Sequence, residues 1–497
     1  MKQLRPIMFA GTGSDVGKSV IATAFCRIFR QDGYHPAPFK AQNMALNSYA
    51  TPEGMEIGRA QAVQAEAAGI SPHTDMNPLL LKPQTDKSCQ VVLNGKPTGN
   101  SDAYDYFKKE GREVYRDAVC AAFDRLKERF NPIVMEGAGS ISEINLRETD
   151  IVNMPMALRA GANVILVADI DRGGVFASVY GSVLLQTPEE RKHIKGIIIN
   201  KFRGDIRLFQ SGVKMIEDLC GVPVVGVIPY YKDIHIEEED SLQLSMKNLN
   251  ATDGRGKVRV AVVLLRHLSN FTDFDMLEQD PRVHLFYSNN VKDMEHADVI
   301  IIPGTKCTLE DLYELRRNGM AEAIVKAARN GKTVLGICGG YQMMGTKISD
   351  PDSIEGDISC LPGLSLLPTE TVITCDKVTR QVNFRLYDDK DAEMKLQGYE
   401  IHSGRTQIEH NDNTKPLCVM TDDDNEGCRN GRCMGTYIHG ILDNAEFVDY
   451  LIEPYNNRRN EAQQLDYREF KERQYDLLAD HVRRNVNMPL IYKIMEE

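Results

Sequence analysis

The sequence predicts an α/β protein built from two doubly wound domains. Short apolar runs alternate with longer stretches of helical periodicity up to about residue 231, and a second series of this kind begins near residue 257. Continuous apolar runs of this length are typical of buried parallel strands, and the alternation indicates strand–helix–strand units. Two domains also suit the length, because 497 residues exceed what one core usually holds.

The apolar runs define the predicted strands, and the polar stretch between the two series defines the boundaries. In the first domain the runs lie within 6–11, 35–40, 131–137, 162–170, 194–202 and 222–230. In the second domain they lie within 258–265, 283–288, 297–304, 332–340, 396–404 and 435–441. We therefore predict a first domain at 1–245, a linker at 246–256, a second domain at 257–453 and a helical extension at 454–497.

Composition limits the classes of function. A net charge of −12 disfavours a nucleic-acid partner, which is normally met by a basic face. No apolar run approaches the roughly 18 residues of a membrane span, and the first strand begins too early for a signal peptide. The eleven cysteines are scattered without zinc-finger spacing, which favours reduced thiols. We therefore predict a cytoplasmic protein without a nucleic-acid or membrane partner.

Glycines, a lysine and a serine follow the first predicted strand in the stretch GTGSDVGKS at 11–19. Phosphate-binding loops have the pattern G-x-x-x-x-G-K-[ST]. The pattern holds at 17–19, but Thr12 stands at the first glycine position. Because a strand precedes the stretch and a helix follows it, we interpret it as a phosphate site rather than a glycine turn with an incidental lysine. The residues expected to contact the nucleotide are Thr12, Gly13, Ser14, Asp15, Val16, Gly17, Lys18 and Ser19.

Three further residues end strands at the same predicted edge of the first sheet. Glu136 suits Mg²⁺, which binds through one or two carboxylates plus phosphates. Asn200 begins a pattern similar to the base-reading motif of GTPases, and a strand-end turn is the alternative. Lys40 ends the second strand, where its position favours a phosphate or substrate contact over a plain surface charge.

The stretch GICGG at 336–340 predicts a nucleophile elbow, with Cys338 where esterases have serine. The following helix dipole favours a thiolate, whereas a buried structural cysteine is the alternative. A thiol nucleophile needs a base, and His439, just after an apolar run, is the candidate. The backbone N–H groups expected to form an oxyanion hole belong to Gly304, Thr305 and Gly339.

The first domain resembles the dethiobiotin synthetase-like amidoligases, above all the branch that amidates cobyrinates. The resemblance rests on GTGSDVGKS, PFKAQNMALNS, NPLLLKP, MEGAGS and INKFRGD. It implies a P-loop sheet that transfers the γ-phosphate of ATP to a substrate carboxylate. It also implies that Lys18 and Ser19 hold the triphosphate and Mg²⁺, with Glu136 and Glu56 as further metal ligands. Lys40 would bind phosphate or the acyl phosphate.

The second domain resembles the class I glutamine amidotransferases, with Gln342 at the glutamine-contacting position. The resemblance implies that Cys338 attacks the glutamine amide, releases ammonia and forms a thioester that water cleaves. The family's usual H-P-E is here H-G-I at 439–441, a departure that the cobyrinate-amidating subfamily shares. Glu400 and Asp443 are both candidates for orienting the histidine, and the sequence does not rank them.

The two resemblances together imply a corrinoid substrate, adenosylcobyrinic acid a,c-diamide, amidated at its b, d, e and g carboxylates with one ATP and one glutamine each. The cations expected near these carboxylates are Lys40, Lys82, Arg59 and Arg203. The alternatives are an a,c-diamide synthase, an enzyme of the CTP synthetase type and a partitioning-type switch ATPase. The last carries an extra lysine where this chain has Gly13 and leaves Cys338 without a purpose. A homodimer is left open.

Overall fold

The chain divides into two compact units. In the computed structural model, unit 1 comprises Met1–Ala45, Met55–Glu238 and Arg468–Glu497, and unit 2 comprises Leu46–Gly54 and Glu239–Tyr467. The residues that the structure describes are 2–83, 88–102, 112–237, 251, 256–389, 393, 395–409, 412–422, 424–455 and 466–496. Most of the predicted linker, 246–256, lies outside these residues. The units differ from the predicted domains at two places, because 46–54 belong to unit 2 and the C-terminal residues from Arg468 belong to unit 1.

The described residues of the N-terminal half form both strands and helices. The strands are β1 (Ile7–Gly11), β2 (Ala37–Phe39), β3 (Gln42–Met44), β4 (Ser48–Ala50), β5 (Glu56–Gly58), β6 (Leu79–Pro83), β7 (Ser88–Leu93), β8 (Lys96–Asp102), β9 (Ile133–Glu136), β10 (Asn163–Asp169), β11 (Ile194–Phe202) and β12 (Val224–Pro229). The α-helices are α1 (Lys18–Gln31), α2 (Arg59–Ala68), α3 (Arg112–Arg129), α4 (Met154–Ala160), α5 (Val175–Leu184), α6 (Pro188–His193) and α7 (Gln210–Cys220).

Unit 1 is organised around a six-stranded parallel sheet in the order β12-β11-β10-β1-β9-β2. These are the six strands that the apolar runs predict. Both faces of the sheet are covered, since Val164 and Leu166 of β10 enter one core while Ile165 and Val167 enter the other. A four-stranded sheet, β3-β6-β7-β8, accompanies the main sheet.

Unit 2 contains two sheets. Its further strands are β13 (Val258–Val263), β14 (Val283–Ser288), β15 (Val299–Ile302), β16 (Thr333–Ile337), β17 (Lys347–Ser349), β18 (Cys360–Pro362), β19 (Thr369–Leu386), β20 (Leu396–Ile408), β21 (Thr414–Lys415), β22 (Cys418–Met420), β23 (Asn425–Glu426), β24 (Cys428–Asn430), β25 (Cys433–Thr436) and β26 (Ile438–His439). Its α-helices are α8 (Asp275–Gln279), α9 (Thr308–Arg317), α10 (Met320–Arg329), α11 (Gly339–Met344) and α12 (Ala445–Ile452). One sheet has the order β14-β13-β15-β16-β25-β24-β21, and its first five strands are parallel.

The second sheet of unit 2, β18-β17-β19-β20-β26, is mostly antiparallel and was not predicted as a separate layer. The predicted run at 435–441 is two strands, because the chain leaves the first sheet at Thr436 and enters the second at Ile438. Glu426 fixes this switch. Its carboxyl accepts hydrogen bonds from the Thr436 hydroxyl at 2.8 Å and from the Tyr437 N–H at 2.7 Å.

The C-terminal helices α13 (Tyr467–Asn485) and α14 (Met488–Glu496) complete the core of unit 1 from Arg468 onwards. The sequence predicts one or two amphipathic helices packed on a surface, because the segment is rich in Arg, Glu and Gln. Leu478 and Ile491 of these helices are fully buried in the apolar core that also contains Phe25 and Phe29 of α1. Each such buried side chain contributes about 1.5–3 kcal/mol. In the described part of the chain, no helix combines the length and the apolar character that a bilayer crossing requires.

Candidate active site

The loop between β1 and α1 has the backbone of a phosphate cradle. Asp15 and Gly17 adopt left-handed conformations, with φ of 56° and 95°, while Ser14 is exposed at the tip of the turn. A side chain at position 17 would collide with Asn200, whose Nδ2 would lie 2.2 Å from the added Cβ. Asn200 Nδ2 also donates to the Val16 carbonyl at 2.9 Å. Asn200 therefore braces the loop.

Lys18 lies inside the cradle at the start of α1. Its Nζ donates to the carbonyl oxygens of Gly13 at 2.8 Å and Gly139 at 3.0 Å. The Thr12 N–H donates to the Val167 carbonyl at 3.0 Å, which ties the loop to the neighbouring strand β10. The loop thus presents an ammonium and a helix N-terminus together, an arrangement that favours a phosphate group.

Glu136 is the centre of a buried polar cluster beside the loop. Its Oε1 accepts from Ser19 Oγ at 2.7 Å and Lys40 Nζ at 2.8 Å, and its Oε2 accepts from Gln64 Nε2 at 2.7 Å. Burial by itself would raise the pKa of Glu136, but Lys40 and the hydrogen bonds outweigh it and lower the pKa. An ionised carboxylate beside a hydroxyl is an oxygen donor set that suits Mg²⁺.

The structure places the other predicted residues of this region in ion pairs. Glu56 pairs with Lys82, and both side chains are buried. Arg59 Nε lies 2.7 Å from Glu237 Oε2. Arg203 pairs with Asp171 at 2.7 Å and covers the ring of Tyr230. Acidic neighbours therefore accompany all four cations expected near the corrinoid, since Lys40 pairs with Glu136.

Gln64 is the residue of this cluster that the sequence analysis missed. It lies on α2, where it is fully buried although its helix consists mainly of alanine and polar residues. The available signal was a long polar side chain among alanines in a predicted helix. If such a side chain is buried, it needs a polar partner, and this need could have pointed to the site.

Cys338 occupies a sharp turn between β16 and α11. Its φ of 51° and ψ of −109° lie far from helix or strand values, as expected for a nucleophile elbow. The flanking glycines are required by close packing. A Cβ on Gly340 would lie 1.9 Å from the Ile302 carbonyl oxygen, and one on Gly336 would lie 2.7 Å from the Gly340 carbonyl oxygen.

His439 lies within hydrogen-bonding reach of Cys338 and is held by Asp273. Its Nδ1 is 2.7 Å from Asp273 Oδ2, and Asp273 Oδ1 accepts the Gly440 N–H at 3.1 Å. Burial opposes the charged imidazolium, but Asp273 and the hydrogen bond with Cys338 outweigh it and raise the pKa of His439 to about 10. His439 therefore carries its proton at neutral pH.

Asp273 corrects the two candidates proposed for orienting the histidine. Glu400 pairs with Arg380, and Asp443 lies in the short 3-10 helix after His439. Asp273 lies 166 residues before His439 in another short 3-10 helix, Phe271–Phe274. No local pattern ties an aspartate there to the histidine, which is why the sequence analysis missed it.

Two more side chains contact the imidazole of His439. Asn270 Nδ2 lies 3.2 Å from each ring nitrogen. The ring of Tyr399, on the neighbouring strand β20, stacks on the imidazole at a centroid distance of 5.4 Å. The position of the base is therefore fixed by three side chains from two distant parts of unit 2.

The turn after β15 lies against the elbow. A Cβ on Gly339 would approach the Thr305 nitrogen to 3.1 Å, and a Cβ on Gly304 would approach His439 Cε1 to 3.3 Å. The structure thus brings together the residues expected to form the oxyanion hole. Gln342 is buried nearby, where its amide accepts from Thr308 Oγ1 at 3.1 Å and donates to the Tyr437 hydroxyl at 3.4 Å.

All eleven cysteines are free thiols, and their surroundings differ. Burial raises the pKa of Cys307 and of Cys428 to about 12 and that of Cys433 to about 11. These thiols remain protonated at neutral pH. Cys338 is only partly buried and lies beside a protonated histidine, which are the surroundings of a reactive cysteine.

Each half of the chain matches the model of a known protein family. Residues 7–244 match the CobQ/CobB/MinD/ParA nucleotide binding domain, and residues 259–447 match the CobB/CobQ-like glutamine amidotransferase domain. A cobyric acid synthase of Bacteroides fragilis is 67% identical over 100% of this chain and 99% of that protein. Proteins of the same name from Phocaeicola vulgatus and Syntrophobacter fumaroxidans are 66% and 47% identical, each over 99% of this chain and over 99% and 98% of those proteins. The chain therefore belongs to the cobyric acid synthase family.

Proposed function

We propose that the chain is a cobyric acid synthase, which amidates the b, d, e and g carboxylates of adenosylcobyrinic acid a,c-diamide with ATP and glutamine. The observation that carries the proposal is the presence, in one chain of this family, of a phosphate cradle around Lys18 and a Cys338–His439–Asp273 centre. A nucleotide site alone would leave the thiol centre without a function, and a thiol centre alone would leave the nucleotide site without one.

Amide formation with glutamine as the nitrogen source requires both centres. A carboxylate is a poor electrophile with a poor leaving group, and phosphorylation turns it into an acyl phosphate that ammonia can attack. Ammonia is mostly protonated in neutral water, so releasing it from glutamine inside the protein keeps it nucleophilic. Unit 1 would activate the acid, and unit 2 would supply the nitrogen.

In the proposed activation step, Lys18 and the N–H groups of the loop hold the triphosphate. Ser19 and Glu136 would hold Mg²⁺, which neutralises phosphate charge. Lys40, which pairs with Glu136 in the structure, would contact the transferred phosphoryl group. Glu56 as a second metal ligand and Asn200 as a nucleotide contact stay predictions.

In the proposed glutaminase step, Cys338 attacks the amide carbon of glutamine as a thiolate paired with the protonated imidazole of His439. The N–H groups of Gly339 and Thr305 are positioned to stabilise the oxyanion. His439 transfers its proton to the departing nitrogen, so ammonia leaves and a glutamyl thioester remains. His439 then takes a proton from the water that cleaves the thioester, and Gln342 would contact the bound glutamine.

The alternatives predict other outcomes in one experiment. The enzyme is incubated with adenosylcobyrinic acid a,c-diamide, ATP, Mg²⁺ and glutamine, and the corrinoid is followed by mass spectrometry. Four successive losses of about one mass unit are expected, because each amidation replaces OH by NH₂. An unchanged a,c-diamide, together with amidation of cobyrinic acid in a parallel incubation, would identify an a,c-diamide synthase. Nucleotide hydrolysis without any amidation would favour a switch ATPase. The cytoplasmic location and the homodimer remain predictions.

A further inference from the structure

The segment Leu46–Gly54 belongs to unit 2, although the residues on both sides of it belong to unit 1. It lies within the stretch that connects Lys40 to Glu56, two residues predicted to serve the nucleotide site. Asn47, Ser48 and Ala50 of this segment are buried. A segment that crosses into the glutaminase unit and buries its polar side chains requires a structural explanation, because buried amides need specific partners.

The first set of contacts leads to the turn that holds His439. The Oδ1 of Asn47 accepts the Phe271 N–H at 3.3 Å, and the Ser48 N–H donates to Asn270 Oδ1 at 3.2 Å. Asn270 adopts a left-handed conformation, with φ of 53°, immediately before the 3-10 helix that carries Asp273. The segment thus contacts the turn from which Asn270 and Asp273 reach the imidazole.

The second set of contacts reaches the opposite neighbour of the imidazole. Tyr49 packs on Tyr399 at a ring-centroid distance of 4.8 Å, and Tyr399 stacks on His439. Ala50 joins the small core formed with Tyr399 and Ile401. The carbonyl of Ile401 lies 3.6 Å from the sulfur of Cys338. These contacts are independent of Asn47.

We propose that the segment Leu46–Gly54 is part of the glutaminase centre, in which Asn47 and Tyr49 act as positioning residues for His439. This inference rests on the proposed roles of Cys338 and His439. Neither side chain touches the reacting atoms. Asn47 acts through the 270–273 turn, and Tyr49 acts through Tyr399. The geometry of the base therefore depends on a stretch of chain that emerges from unit 1.

The test compares two nitrogen sources in the full-length enzyme. Asn47→Ala should lower kcat for glutamine hydrolysis about tenfold, because a displaced base transfers protons slowly. The KM for glutamine should change less than about twofold. Amidation supplied with ammonium chloride should equal that of the wild type, since this nitrogen does not pass through the thiol centre. Asn318→Ala, which also removes an amide acceptor of a backbone N–H in unit 2, is the control and should leave both rates unchanged.

A second pair of variants tests the other contact. Tyr49→Ala should slow glutamine hydrolysis in the same way, and Tyr49→Phe, which keeps the ring, should not. Equal loss with glutamine and ammonium would reveal general damage and overturn the proposal. So would unchanged glutamine hydrolysis in both Asn47→Ala and Tyr49→Ala. Cys338→Ala in the same assay distinguishes failure of the proposed thiol centre from failure of the positioning role of Asn47 and Tyr49. If Cys338→Ala retained glutaminase activity, the thiol centre itself would be refuted.

Discussion

The phosphate loop of unit 1 and the thiol elbow of unit 2 are both strand–turn–helix connections, but they obtain their functional groups differently. In unit 1 the loop itself supplies Lys18, Ser19 and the convergent N–H groups. In unit 2 the elbow supplies Cys338 alone, while the base and its carboxylate come from 101 residues later and 65 residues earlier in the sequence. The phosphate-binding groups of the first centre are therefore local in sequence, whereas tertiary structure adds Glu136 to the first centre and assembles the second.

The charges of the two centres differ in a related way. Glu136 in unit 1 is kept ionised by Lys40, so that a buried cation and a buried anion neutralise each other. His439 in unit 2 is kept protonated by Asp273, so that the proton that the proposed glutaminase step transfers is already in place. In unit 1 the buried charges of Lys40 and Glu136 compensate each other, whereas in unit 2 the charge on His439 is the proton available for transfer.

The largest expected effect separates the two centres completely. Cys338→Ala should reduce glutamine-dependent amidation by a factor on the order of 10⁴ or more, because the nucleophile is lost. Amidation with ammonium chloride should continue, since unit 1 is intact. Cys360→Ala removes an exposed thiol and serves as the control. Loss of both activities in Cys338→Ala would contradict the division of labour.

The converse variant is in the phosphate loop. Lys18→Ala should reduce amidation about 100-fold or more with either nitrogen source, because the triphosphate loses its buried cation. Glutamine hydrolysis should remain measurable as released glutamate. The exposed Lys127→Ala is the matched control. Amidation at the wild-type rate would show that the cradle does not bind the reacting phosphate.

The next effect tests the carboxylate that the sequence analysis missed. Asp273→Asn should lower kcat for glutamine hydrolysis about 100-fold, because the imidazole loses both its orientation and the charge that keeps it protonated. Asp443→Asn should cause a much smaller loss. The reverse order of these two variants would restore Asp443 as the orienting group.

The ion pair between His439 and Asp273 should make the unfolding free energy depend on pH. The pKa of His439 is raised in the folded state from an ordinary value of 6.5 to about 10. The contribution of the pair to the unfolding free energy is therefore complete below pH 6.5 and is lost as the pH rises through about 10. In urea unfolding, the difference between wild type and Asp273→Asn should shrink across this interval. A constant difference would mean that His439 is already neutral.

The smallest effect concerns the sheet switch at Thr436. Burial, helped by the charge of Glu400, raises the pKa of Glu426 from 4.5 to about 8. The folded state thus retains a proton that the unfolded state loses, so the unfolding free energy should fall as the pH rises from 4.5 to 8. Glu426→Gln should remove this slope, and the exposed Glu409→Gln should keep it. Equal slopes in all three proteins would show that Glu426 is ionised.

The sequence predicted those parts of the structure in which a local pattern, such as a continuous apolar run, directly marks the residues that are buried. The six strands of the unit 1 sheet are continuous apolar runs, and the elbow shows its glycines. The sheet that contains β19 and β20 was missed as a layer, because alternate residues of β19 are exposed and its sequence is largely polar. Asp273, Gln64 and the segment Leu46–Gly54 were missed because their roles depend on contacts between residues far apart in the sequence.

The origin of the transferred nitrogen tests the cooperation of the two centres most directly. The enzyme is supplied with ATP, Mg²⁺, the a,c-diamide, glutamine labelled with nitrogen-15 in its amide, and unlabelled ammonium chloride. If ammonia passes from the Cys338 centre to the acid activated in unit 1, the corrinoid amides should carry the label even though unlabelled ammonium is present. Amides with only unlabelled nitrogen, formed while glutamine is hydrolysed, would show that the two centres work independently.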